Sequence, residues 1–224
     1  MVFYPTLTTL VDYKEKLDEI KTLKLEKVCV FFTGLNFEER KVLFKELKKV
    51  GVKEIPFAHI KNDMTLEELD LLVECYHTQR MNLHSFKEHA EIYDYSKYKD
   101  LIYIENVYVA FEEEEIRKWA GICLDFSHLE NDRITRPEYF EKNIKILERN
   151  KIGCNHISAI RAESHLNSDG FNRYDYHATN NLSDFDYLKK YDKKFFSDFC
   201  AIELNNSISF QLKVIDYVKK IVNE

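Results

Sequence analysis

Eight short apolar runs, each followed by a charged or helix-like segment, set the tightest limit on what this 224-residue chain can become. The runs cover 2–7, 27–33, 54–59, 80–84, 101–105, 121–125, 152–156 and 199–203. They are rich in Val, Ile, Phe and Cys, as strands buried on both faces should be. Helical periodicity is clearest at 13–23, 37–50, 66–77, 137–150 and 207–223. Thr65, with Glu68 three residues on, reads as a helix N-cap, and Gly51 stands where a helix should stop. Only 112–119 can be helical between the fifth and sixth runs, and 89–99 is too irregular for a full helix. The alternation predicts an α/β fold, a single compact (β/α)8 TIM barrel over 1–224, with a doubly wound open sheet as competitor. The longest irregular stretch, 161–186, reads as a functional loop.

Composition removes whole classes of function. The five glycines, at 34, 51, 121, 153 and 170, never fall within six residues of one another. That excludes the dinucleotide fingerprint, the P-loop and the GxSxG elbow. Five cysteines without CxxC spacing support neither a disulfide framework nor a thiolate zinc site. A net charge of −6 argues against long contact with nucleic-acid phosphates. No apolar run approaches the ~18 residues of a membrane span, and the first residues lack a basic-then-apolar leader, so a cytoplasmic protein with no membrane partner is expected.

The ends of the runs carry the chemistry. The third to eighth end in His59, His84, Glu105, Asp125, His156 and Glu203. In a barrel all these ends face one mouth, where barrel enzymes place their sites. His128 follows Asp125 by three residues, and the 161–186 segment adds Asp175 and His177. One strand-end histidine is commonly structural. Six such ends in succession are different, because carboxylates aimed at one cavity repel unless a cation or proton neutralises them. Imidazole and carboxylate without thiolate suit Zn, Mn, Fe or Co. Glu112–Glu115 reads as a solvated helix start, and the lysines at 189, 190, 193 and 194 as solvated surface.

The ordered set resembles the xylose-isomerase-like barrel superfamily, and within it the zinc-dependent apurinic/apyrimidinic endonuclease type. The resemblance rests on His59, Met81-Asn-Leu-His84-Ser85, Glu105-Asn106, Gly121-Ile-Cys-Leu-Asp125-Phe-Ser-His128, His156, Arg173-Tyr-Asp175-Tyr-His177 and Glu203. It implies one metal on His59, His84 and a bridging Glu105. A second would lie on Glu105, Asp125, His156 and Glu203, and a third on His128, Asp175 and His177. Glu105 and Glu203 are the candidate catalytic carboxylates; Arg161, Arg173, Tyr174 and Tyr176 are the candidate substrate contacts. The chain departs from the family in a longer gap between His156 and Asp175, in Phe31-Phe32-Thr33-Gly34-Leu35-Asn36 replacing a phenylalanine-lysine-asparagine signature, and in lacking basic DNA-inserting loops. The expected activity is metal-dependent hydrolysis of a small phosphoester, with one to three ions, zinc first and Mn or Co second. Tight binding of duplex DNA is not expected. The alternative is a one-metal sugar or sugar phosphate isomerase or epimerase similar to this chain; a non-catalytic metal- or ligand-binding barrel is the third reading. Oligomeric state is not legible.

Overall fold

The computed structural model describes residues 1–90, 92–167 and 170–223. In chain order the elements begin with β1 (Val2–Tyr4), β2 (Thr6–Thr8), α1 (Lys14–Thr22), β3 (Cys29–Phe31), α2 (Phe37–Val50) and β4 (Phe57–His59). Next come α3 (Leu66–Tyr76), β5 (Arg80–His84), β6 (Ile102–Glu105), α4 (Glu113–Ile116), β7 (Gly121–Asp125) and α5 (Phe126–Thr135). The chain continues through α6 (Pro137–Leu147), β8 (Ile152–Ile157), β9 (Ala159–Leu166), β10 (Asn172–Tyr176), β11 (Phe199–Ile202) and α7 (Ile208–Asn223).

Nine parallel segments form one sheet in the order β1-β11-β8-β7-β6-β5-β4-β3-β2. Pro5 explains why nine segments make eight strands. It has no N–H, so one ladder cannot run through it. The backbone before it serves the last strand, pairing Val2 with Phe199, and the backbone after it serves the second, pairing Thr6 with Cys29. The ring therefore closes through the covalent chain at Pro5, giving the (β/α)8 barrel and excluding the open sheet.

Inside the ring pack Cys29, Phe31, Phe57, Tyr103, Cys123, Cys154 and Ala201. Alternation along each strand sends Val30, Ala58, Ile122 and Leu124 outward beneath the helices. Three of the five cysteines are thus small interior hydrophobes, a fourth, Cys200, lies in the outer layer, and Cys75 is exposed. Gly153 gives Tyr103 its room: a Cβ there would lie 1.9 Å from the ring.

The helices follow their capping signals. Asn36 and Thr65 each form a capping box, with Glu39 and Glu68 respectively. Gly51 ends α2 in the left-handed region at φ 93°. Each buried α2 side chain among Leu43, Phe44 and Leu47 contributes about 1.5–3 kcal/mol. The buried guanidinium of Arg40 joins α2 to α3 through two hydrogen bonds to Glu68, at 2.7 and 3.1 Å.

Two segments differ from the expectation. The 161–186 stretch is largely ordered: β9 and β10 form an antiparallel hairpin outside the ring, and a 3-10 segment covers Leu182–Lys190. α5, not foreseen, starts immediately after β7 with Asp125 as its N-cap. The expected 112–119 helix shortens to α4, and 89–99 contributes only a 3-10 turn at Ser96–Tyr98. No described helix is long and apolar enough to cross a membrane.

Lys16 of α1 is buried, with its ammonium 2.5 Å from the Thr8 hydroxyl and 3.4 Å from the Leu204 carbonyl. Burial lowers its pKa from the usual 10.5 to about 8, opposed by Glu19. Between pH 8 and 10.5 the unfolded chain keeps a proton that the folded chain has released, so this group makes stability rise with pH across that window. The unfolding free energy of wild type minus that of Lys16→Met is expected to grow from pH 7.5 to 10 in urea titrations. A difference that stays flat would show that the folded state does not bury the ammonium.

Candidate metal centre

Parallel register brings the strand-end residues to one level. His84 pairs with Glu105 across β5 and β6, and Asp125 with His156 across β7 and β8. His59 ends β4, and Glu203 directly follows β11. The nine expected ligand residues therefore gather at the C-terminal mouth, Asp175 and His177 being returned to it by the hairpin.

Glu105 sits at the middle. Its Oε1 lies 3.0 Å from His156 Nδ1; its Oε2 lies 3.6 Å from His59 Nε2 and 4.0 Å from His84 Nε2. His156 Nδ1 is also 3.4 Å from Glu203 Oε2, and Glu203 Oε1 is 3.7 Å from His177 Nδ1. His128 Nε2 lies 3.5 Å from Asp175 Oδ2 and 4.0 Å from Asp125 Oδ2. Donor atoms converge in four groups: Glu105–Asp125–His156–Glu203, His59–Glu105–His156, His128–Asp175–His177 and His84–Glu88–His89. The second and third expected sets are thus recovered as groups. In the first, His59 groups with Glu105 and His156, while His84 reaches Glu105 only at 4.0 Å.

Supporting bonds aim these groups. Asp125 spends Oδ1 on Ser127 Oγ (2.6 Å) and the His128 amide (2.9 Å), leaving Oδ2 turned to the cluster. Asn106 holds both ends of the Asp125 peptide, and its own carbonyl faces His128 Nδ1 at 2.9 Å. A carbonyl can only accept, so His128 carries a proton on Nδ1, which leaves Nε2 as the nitrogen that can face an ion. Arg173 grips Asp175 through two 2.6 Å bonds.

A cation fits this arrangement on its own chemistry. Glu105, Asp125 and Glu203 are buried together, and among the described residues no Lys or Arg pairs with them. His59 Nδ1, Asp125 Oδ2, His156 Nε2 and Glu203 Oε2 are buried without a hydrogen-bond partner. Burial raises the carboxyl pKa of Glu105 and of Asp125, the direction expected of carboxylates gathered where a nearby cation would offset their charge. Burial alone would lower His156, but Glu105 and Glu203 lift it well above the imidazole range. Burial, with His128 and His89 nearby, pushes His84 down to about 3, leaving it a neutral donor.

The four expected substrate contacts divide. Tyr174 and Arg173 line a cavity of about 770 Å³ beside the mouth, with Tyr108, Asn131, Arg136 and Phe171. Arg161 instead donates to the Ala178 carbonyl and lies over the Tyr176 ring at 4.3 Å. A second cavity of about 360 Å³ opens over His59, His84, His89 and Tyr108. Asn106 as a clamp and Glu88 beside His84 were missed in the sequence; the i, i+4 spacing of His84 and Glu88 is the signal that could have found the latter.

The fold and this mouth define an α/β barrel with a buried imidazole–carboxylate cluster. No protein-family model and no curated protein matches the sequence. Among solved structures, the chain is similar to a xylose isomerase domain protein from Planctomyces limnophilus (TM-score 0.49, 14% identity, 99% of this chain and 98% of that one). It is also similar to one from Alicyclobacillus acidocaldarius subsp. acidocaldarius (TM-score 0.48, 14% identity, 99% of each chain). A third is a xylose isomerase-like TIM barrel protein from Mycobacterium smegmatis in complex with magnesium (TM-score 0.46, 11% identity, 92% of this chain and 86% of that one). Each is a likeness of backbone course, and the metal named for the last belongs to that protein.

Proposed function

We propose that this protein is a metal-dependent hydrolase acting on a small phosphoester through a multinuclear site at the barrel mouth. The observation that carries the reading is the hairpin. It brings Asp175 and His177 to His128, forming a donor group beside the Glu105–Asp125–His156–Glu203 group. A site built for one ion has no use for the second group.

The residues present divide the work. Glu105 spans the cluster, one oxygen toward His156 and the other toward His59 and His84. Asn106 and Ser127 fix Asp125 and His128, and Arg173 fixes Asp175, so the donors are aimed before anything binds. Bound divalent ions would lower the pKa of a water and stabilise charge developing on a phosphoryl oxygen. Tyr174, which lines the neighbouring cavity, would stack on the substrate's leaving group. The second reading, a one-ion isomerase or epimerase of a hydroxy-ketone sugar, is favoured by the self-sufficiency of the four-residue group. There Glu105 and Glu203 would move the proton.

Elemental analysis of protein purified without added metal separates the two. Two or three zinc ions per chain, with hydrolysis of bis(p-nitrophenyl) phosphate, support the hydrolase; a single Mn or Co supports the isomerase. Protein that is metal-free and takes up none overturns both. Duplex DNA carrying an abasic site is expected to bind no tighter than ~10⁻⁴–10⁻⁶ M at physiological salt. The net charge is −6, and only residues 32–36 and 60–65 separate β3 and β4 from their helices. Nanomolar binding with incision beside the lesion would replace the small substrate by DNA.

A further inference from the structure

His84 presents its two ring nitrogens to two different carboxylates. Nε2 is 4.0 Å from Glu105 Oε2, and Nδ1 is 3.6 Å from Glu88 Oε2. Glu88 is itself held, because its Oε1 accepts from the amides of Tyr108 (2.8 Å) and Val109 (3.0 Å). Both amides lie just beyond β6, the strand that ends in Glu105. Glu88 thus ties His84 to the segment that carries the central carboxylate. The Glu88 side chain is only 6% exposed, and its Oε2 and His84 Nδ1 are both buried without a hydrogen-bond partner. The gap is wider than a hydrogen bond by less than an ångström, and a small ring rotation closes it. The rings of His59 and His89 flank His84 with centroids at 4.9 and 5.5 Å, and neither makes a hydrogen bond to its Nδ1.

We propose that Glu88 is a positioning residue that holds His84 with its proton on Nδ1 and its Nε2 lone pair toward Glu105. The proposal rests on reading the mouth as a metal site. A fixed carboxylate oxygen facing one ring nitrogen selects the proton there, which frees the other nitrogen as donor and raises its basicity. Glu88→Gln reverses this. The two amides still require an oxygen, so the new NH2 must face Nδ1, and the proton moves to Nε2.

The test uses the metal-free full chain labelled with 15N-histidine, and Zn²⁺ in chelator competition. Wild type is expected to show His84 protonated on Nδ1 in long-range 1H–15N spectra, and Glu88→Gln on Nε2. Glu88→Gln is expected to weaken Zn²⁺ binding by about 10–100-fold. Glu88→Ala, which removes the acceptor without reversing it, should lose less; a purely structural role would order the two variants the other way and overturn the proposal. His84→Ala is the control for the reading beneath it: full Zn²⁺ content in that variant would remove His84 from the site altogether. If His84→Ala loses an ion while Glu88→Gln keeps the wild-type tautomer and affinity, the proposal alone fails. Loss of an ion in His89→Ala as complete as in His84→Ala would overturn it in favour of a separate His84–Glu88–His89 site.

Discussion

Glu105→Gln is expected to lose at least one metal ion per chain and all measurable activity while the barrel stays folded. Among the described residues, Glu105 is the one side chain that pairs with His59, His84 and His156 together, so its carboxylate faces three donors. An outer partner of a ligand is worth 10–100-fold in metal affinity, and a shared central carboxylate should exceed about 100-fold. The fold should survive because Gln keeps the shape of Glu105, can still accept from Asn82 Nδ2 through its carbonyl, and carries no charge for burial to penalise. Without metal, the variant should melt no lower than wild type stripped by chelator. Elemental analysis and thermal unfolding with and without chelator read both halves. Unchanged metal content would show that Glu105 holds no ion, and a collapse of the metal-free variant would show that its charge serves the fold.

The second large effect lies at the other level of the ring. Gly153→Ala should destabilise the protein by about 3 kcal/mol or more, at the upper end of what an added methyl does to a packed core. The new Cβ would meet Tyr103 Cε1 at 1.9 Å and Cζ at 2.3 Å, and the ring has nowhere to go. Tyr103 is buried inside the barrel, with the Arg80 guanidinium 5.5 Å from its centroid. The Gly153 carbonyl is held by Ser197 Oγ at 2.6 Å and by Arg80 Nε at 3.3 Å, so the backbone resists retreat. At about 2–4 °C per kcal/mol for a chain of this size, the midpoint should fall by roughly 10 °C. Adding Tyr103→Leu should recover much of that loss, since the contacts removed are with the ring. A double variant that merely sums the two single losses would place the strain elsewhere.

The barrel was legible because its strands are buried on both faces and their apolar runs stop where polar side chains reach the mouth. All eight runs form strands, the first divided at Pro5. The caps at Thr65 and Gly51 were legible for a similar reason, since each answers a backbone need that few residues meet. α5 was hidden because every residue from Phe126 to Asp132 is buried, which erases the one-sided apolar stripe. Its polar groups are covered partly by near neighbours, Glu130 by Arg133 and Asp132 by Arg136, and partly from afar, Glu130 by Lys190 and Tyr191 and Asn131 by the Tyr174 amide. The hairpin was hidden because β9 lies outside the ring and is mixed in burial, so no alternation marks it. The longer gap from His156 to Asp175 is that hairpin. The sequence brings the imidazoles and carboxylates of the strand ends to notice, but Glu88, His89 and the two-sided setting of His84 depend on distances that spacing alone does not carry.

The division at Pro5 also sets an order of events in folding. β1 and β11 join residues separated by nearly the whole chain, through three pairs from Val2–Phe199 to Tyr4–Ala201. Closing a loop of that length costs on the order of 5 kcal/mol of entropy, offset by this ladder together with the Gln211 amide on both backbone groups of Thr6, and Glu19 on Ser209. Pairings of such long range are gained only after the loop entropy has been met, so they form late. Glu203 follows β11, which also pairs with β8, and its amide donates to the Ile157 carbonyl, so the strand-borne donors all stand on the contiguous strands β4 to β8 and β11, on one side of the seam. An ion bound there would stiffen those six strands and not the seam, so hydrogen exchange at Phe3 should be the same with and without it.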